Sequence, residues 1–88
     1  MTPQVRELNA VLHTADYNPA SKILRLEVSS FAGHKSAVMI AAPRKALRAT
    51  LDGKALTDIS TLGKEGGNVV TRIQFEGSSR TQSLNIQY

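Results

Sequence analysis

Apolar and polar residues alternate along most of this chain, and the period is that of β-strands, not of helices. In residues 22–30, Leu24, Leu26 and Val28 alternate with Arg25, Glu27 and Ser29. Successive strand side chains point to opposite faces, so this segment buries one face and wets the other. Residues 47–51 place Leu47, Ala49 and Leu51 on one side and Arg48 and Thr50 on the other. In residues 69–77, Val69, Ile73 and Phe75 oppose Val70, Arg72, Gln74 and Glu76. The last strand, residues 81–88, turns Leu84, Ile86 and Tyr88 inward and Ser83, Asn85 and Gln87 outward. Residues 6–17, RELNAVLHTADY, read as one longer strand. Its register stays open, because Leu8, Ala10 and Leu12 compete with Val11 and Tyr17 for the inner face.

One segment is ambiguous. SAVMIAAPRKALRA is rich in alanine, a strong helix former. Pro43 interrupts it, and Val38-Met39-Ile40 is a β-favouring run, so a continuous apolar strand between Gly33 and Pro43 is expected. Both faces of that strand are apolar: Val38 and Ile40 point one way, and Ala37, Met39 and Ala41 the other. One face belongs to a core, and Met39 is the candidate for an interdomain contact on the other.

The breaks carry turn chemistry. Asn18-Pro19-Ala20-Ser21 turns the first strand into the second, and Phe31-Ala32-Gly33-His34 separates the second from the third. GKEGGN, residues 63–68, reads as a loop, and Gly77-Ser78-Ser79 as the turn of a last hairpin. Asp52-Gly53 lies between apolar arms that carry Leu51 and Leu56, and Asp-Gly suits a type I′ turn, which needs φ > 0 at both central residues. A calcium loop would require several oxygen ligands at alternating spacing; here only Asp58 follows, and Lys54 would repel the cation. About seven strands with regular turns and no helix define an all-β, antiparallel two-sheet sandwich of the immunoglobulin or fibronectin kind.

Eighty-eight residues make one domain, residues 1–88, and the opening Met1-Thr2-Pro3 suggests the start of an excised piece. The chain has no cysteine, so disulfides and thiolate metal sites are excluded and the core stands on packing alone. No stretch approaches the length of an apolar membrane span or a signal peptide's apolar segment. The net charge of +4 comes from Lys and Arg scattered singly, apart from Arg44-Lys45 with Arg48, and aromatics are 5% with no Trp. Nucleic-acid binders concentrate cations on one face and add stacking surfaces, so a mildly basic, solvated surface is the reading, with neither nucleic acid nor membrane as partner.

These segments together resemble a known family. The order YNPASKILRLEVSS, HKSAVMIAAP, LRATLDGKAL, GGNVVTRIQFEG, QSLNIQY is similar to the small C-terminal immunoglobulin-like domain attached to bacterial glycoside hydrolases and related polysaccharide-processing enzymes. In such domains a V-x-(V/L)-(N/D)-G-K-x-(L/V) stretch precedes a strand of V-x-I-x-F type. Residues 47–56 and 69–75 carry that pattern here, and the likeness spans residues 8–88. It implies a non-catalytic accessory domain at the C-terminal end of a larger protein, monomeric when isolated, packed on the parent's catalytic domain and located outside the cytoplasm.

Candidates for other chemistry are few. His13 and His34 lie far apart in sequence without cysteine companions, so a metal site is not expected, nor is any cofactor. No seryl elbow or phosphate loop occurs, and no carboxylate is flanked by pocket-forming apolar residues, so catalytic residues are not assigned. The rival to an accessory role is a carbohydrate-binding or other extracellular protein-interaction module. Sugar rings stack on exposed aromatics; Phe75 and Tyr88 fall on inner positions, which leaves Tyr17 and Phe31 as possible ligand contacts. They flank the second strand, roughly 20–25 Å apart at about 3.3 Å per residue, too far for one platform.

Overall fold

Two antiparallel sheets, packed face to face, account for residues 3–88, which a computed structural model describes; among these residues there is no helix. Met1 and Thr2, the start of the expected excised piece, lie outside the described residues. The strands are β1 (Gln4–Leu8), β2 (Val11–Asn18), β3 (Ile23–Ser29), β4 (Lys35–Ala42), β5 (Arg48–Leu51), β6 (Lys54–Ala55), β7 (Ile59–Glu65), β8 (Asn68–Glu76) and β9 (Gln82–Gln87). One sheet has the order β1-β4-β8-β7, and the other β2-β3-β9-β5-β6. These match the ABED and GFCC′ layers of an immunoglobulin sandwich. The place of the last strand, G, is taken by β3, which comes early in the chain, and β2 extends that sheet by one strand.

Nine strands replace the expected seven for identifiable reasons. Residues 6–17 do not form one strand: the chain leaves one sheet at Leu8 and enters the other at Val11. Asn9 holds this corner. Its backbone N–H donates to Ala37 O at 3.3 Å, its Oδ1 accepts from Ala37 N at 2.7 Å, and its Nδ2 donates to Lys35 O at 3.3 Å. The open register of β2 is resolved by a bulge. Leu12 lies opposite Val28 and Thr14 opposite Glu27, so His13 is the extra residue. An extra residue shifts the parity, which lets Leu12, Ala15 and Tyr17 share the inner face and turns Val11 outward.

Two turns also differ from expectation. Gly63, Lys64 and Glu65 belong to β7, and the turn is Gly66-Gly67, both at positive φ (56° and 85°), joining β7 to β8. Residues 77–81 are no hairpin turn, because β8 and β9 lie in different sheets; this segment crosses between layers. The Asn18 turn does form a hairpin, with Asn18 Oδ1 accepting from Ala20 N at 2.9 Å and Ser21 N at 3.3 Å.

The core lies between the sheets. Leu24, Leu26, Val28, Ala49, Leu84 and Ile86 meet Val38, Ile40, Ala42, Ile73 and Phe75 of the opposite layer. Leu26, Val38, Ile40, Ile73, Leu84 and Ile86 have no exposed surface. The outward face of the first sheet is partly covered by its own edges. Arg6 of β1 pairs with Glu65 of β7, and β4 and β8 lie between those strands, so the two side chains reach over the sheet. Ala41 and Val70, paired on that outward face, are buried.

The loops gather at two ends. The turn at 18–22, the connection 43–47, the Gly66-Gly67 turn and Tyr88 lie at one end. The Asn9 corner, residues 30–34, the Asp52-Gly53 turn and the 77–81 crossing lie at the other.

Candidate functional site

The Asp52-Gly53 stretch is a tight hairpin tip. Both residues have positive φ (49° and 84°), and Leu51 pairs with Lys54 across them. The Asp52 carboxylate is spent inside the protein: Oδ1 accepts from Ser83 N at 2.8 Å, while Asp52 N donates to Ser83 O at 2.8 Å. The acidic tip therefore clamps the β5–β6 hairpin to β9.

Tyr17 and Phe31 sit at opposite ends of the sandwich and are not brought together. Tyr17 lies on the inner face of β2 opposite Leu24, half-buried and packed against the core. Phe31, in the β3–β4 connection, is 77% exposed, with the His34 ring edge-on to it at 6.4 Å and 89°. Of the two, only Phe31 offers a free aromatic ring.

Around Phe31 the fold assembles a groove that sequence reading missed. Leu8, Ala10 and Val11 from the β1–β2 corner line it with Ser30, Phe31 and His34, enclosing about 470 Å³. Val11 is 58% exposed there because the His13 bulge reverses its facing. The competing parities of Leu12 and Tyr17, five residues apart, were the signal for that bulge. His34 Nε2 lies 3.3 Å from Asn9 O, tying the Phe31 loop to the corner.

Met39 occupies the outward face of β4, half-buried between Glu7 of β1 and Arg72 of β8. Of the apolar residues near it on that face, Ala41 and Val70 are buried and Ala37 is half-buried.

Other reactive groups do not converge on one site among the described residues. His13 Nε2 is 2.7 Å from Ser29 Oγ, and among the described residues no three His, Cys, Asp or Glu side chains cluster as metal ligands do. A depression of about 510 Å³ beside the β4–β8 pair includes Lys35, Asp58 and Glu76, with both carboxylates on exposed residues and Lys35 directly opposite Glu76. Among the described residues Tyr88 is the one ionisable group with a clear shift: burial, with a contribution from Tyr17, holds its phenol well above the usual tyrosine value. Its hydroxyl is buried without a hydrogen-bond partner among the described residues.

Comparison with protein-family models, with curated proteins and with solved structures finds no match in any of the three. The fold defines an all-β, antiparallel two-sheet sandwich. Within it the groove beside Phe31 brings two exposed apolar side chains, Phe31 and Val11, together.

Proposed function

We propose that this chain is a non-catalytic accessory domain of a larger, bacterial polysaccharide-processing enzyme, and that it docks on its neighbour through the Phe31 groove. The observation that carries the docking role is the 77% exposure of Phe31 beside Val11 at 58%. Adjoining exposed apolar side chains of this kind mark interaction surfaces, and a buried aromatic is the usual anchor of an interface. The parent's class rests on the residue pattern at 47–56 and 69–75. A location outside the cytoplasm follows from the same pattern and belongs to the same proposal.

The test begins with the coding sequence immediately upstream of Met1. A hydrolase-type catalytic domain in frame supports the assignment; a start codon preceded by untranslated sequence removes it. With the parent in hand, Phe31→Ser is expected to leave the domain folded and to loosen its attachment, read as protease cleavage between the two domains.

A further inference from the structure

Five of the eleven Lys and Arg, scattered along the sequence, are gathered by the fold at one end of the sandwich. Lys22 closes the β2–β3 turn, Arg44 and Lys45 lie in the β4–β5 connection, Arg48 opens β5, and Lys64 stands near the end of β7. None of the five forms an ion pair among the described residues; the pairs present are Arg6–Glu65 and Arg25–Glu27. Of the carboxylates at this end, Glu65 is engaged by Arg6, Asp16 stands on β2 opposite Arg25, and the terminal carboxylate of Tyr88 belongs to the pocket rim, so the cations outnumber them five to three. At the opposite end Lys35, Lys54 and Arg80 are balanced by Asp52, Asp58 and Glu76. The protein is therefore electrically polar along its strands.

The basic end also has a concavity. A pocket of about 260 Å³ lies between Lys22 and Arg44, walled by Tyr17, Ala42, Pro43 and Tyr88. It falls just below the roughly 300 Å³ lower bound of small-ligand sites, which suits a single ring-sized group. Leu47, in the same β4–β5 connection as Pro43 and Arg44, is 73% exposed.

From this arrangement we infer that the basic end binds an acidic polysaccharide, with one carboxylate- or sulfate-bearing sugar seated between Lys22 and Arg44. Arginine accommodates a carboxylate or sulfate through parallel hydrogen bonds, and lysine adds a point charge. Exposed Pro43 supplies apolar surface for the C–H face of a sugar ring. A bilayer is a poorer fit, since its surface cannot enter a pocket between two cations. A single-stranded nucleic acid is poorer too, because it needs exposed aromatic faces along its groove. Tyr17 is half-buried, and Phe31 is at the far end. This site shares no residue with the Phe31 groove, so it stands or falls independently of the docking role.

The experiment uses the 88-residue chain. Polygalacturonate is titrated by calorimetry at about 0.05 M salt and again at about 0.5 M, where the Debye length shrinks severalfold. Neutral dextran, oligothymidylate and phosphatidylserine-containing vesicles are run in parallel. Saturable binding to polygalacturonate is expected, weakened by salt and absent with dextran. The double variant Arg44→Gln/Lys45→Gln should weaken it by about tenfold, the scale of two exposed charge contacts. Lys35→Gln/Arg80→Gln, with the same charge change at the other end, should leave it unchanged. Amide chemical shifts induced by galacturonate oligomers should cluster at residues 18–22, 42–48 and 88. No binding by the folded chain, equal losses in the two double variants, shifts centred on Phe31, or tighter binding to oligothymidylate or vesicles would each overturn the proposal.

Discussion

Asp52 and Ser83 hold each other twice: the Asp52 carboxylate and the Asp52 backbone N–H each bond the backbone of Ser83 at 2.8 Å. A turn residue is thereby made into a clamp on the neighbouring strand. Asp52→Asn keeps an Oδ1 acceptor and tolerates positive φ, so its stability should stay within about 0.5 kcal/mol of the starting protein. Asp52→Ala loses the acceptor and strains the turn, and should cost about 1–2 kcal/mol in urea unfolding. Gly53→Val, at a φ of 84°, should cost at least about 1 kcal/mol. Equal stability of the Asp52→Ala variant would mean that the clamp contributes nothing.

Gly77 and Gly33 separate two reasons for needing glycine. A Cβ at Gly77 would lie 2.0 Å from Ser30 Oγ and 2.9 Å from Phe31 O, because the crossing strand presses on the β3–β4 connection. A Cβ at Gly33 meets nothing within 4 Å, and only its φ of 75° resists substitution. Gly77→Ala should destabilise by about 2 kcal/mol or more, as overpacking does, and Gly33→Ala by about 1 kcal/mol. Thermal melts of the two variants should therefore fall in that order.

Tyr88 sets an alkaline limit. Its folded-state pKa is raised above the unfolded value near 10, so its neutral form is the one the fold favours. That contribution is complete below about pH 10 and declines as pH rises further, because the unfolded chain ionises first. Tyr88→Phe removes an unpartnered buried hydroxyl and should leave stability at pH 7 equal or higher. The variant should also show a shallower loss between about pH 10 and 11, measured by urea titration at each pH.

Two apolar surfaces compete as the docking face, and their variants rank them. Phe31 is exposed and flanked by Val11, whereas Met39 is half-buried between Glu7 and Arg72. Phe31→Ser should weaken association with the proposed parent enzyme by a few kcal/mol, the scale of an interface anchor. Met39→Lys should leave the isolated domain folded and weaken association by less. A larger effect at Met39, measured as the dissociation constant between separately expressed domains, would move the docking face to the β4–β8 surface.

Much of this architecture was legible because local rules and the fold agree. The alternation in β3 and β9 placed Leu24, Leu26, Val28, Leu84 and Ile86 in the core, where they lie. The Asn18 and Asp52-Gly53 turns follow from side-chain chemistry that acts within four residues. Where two local rules conflict, the sequence leaves the register open. Leu12 and Tyr17 could share a face only through a bulge, and nothing in the side-chain pattern marks His13 as the extra residue.

The sequence by itself determined an all-β sandwich, its principal core rows and two of its turns, because period and turn propensity are encoded residue by residue. Only the tertiary structure decided which strands share a sheet, since β8 and β9 are sequence neighbours yet lie in opposite layers. Partnership of strands depends on the burial of whole faces, a property no short segment possesses. The same holds for both candidate surfaces. Phe31 meets Val11, and Lys22 meets Arg44, across about twenty residues of chain, because antiparallel strands of similar length return their loops to common ends.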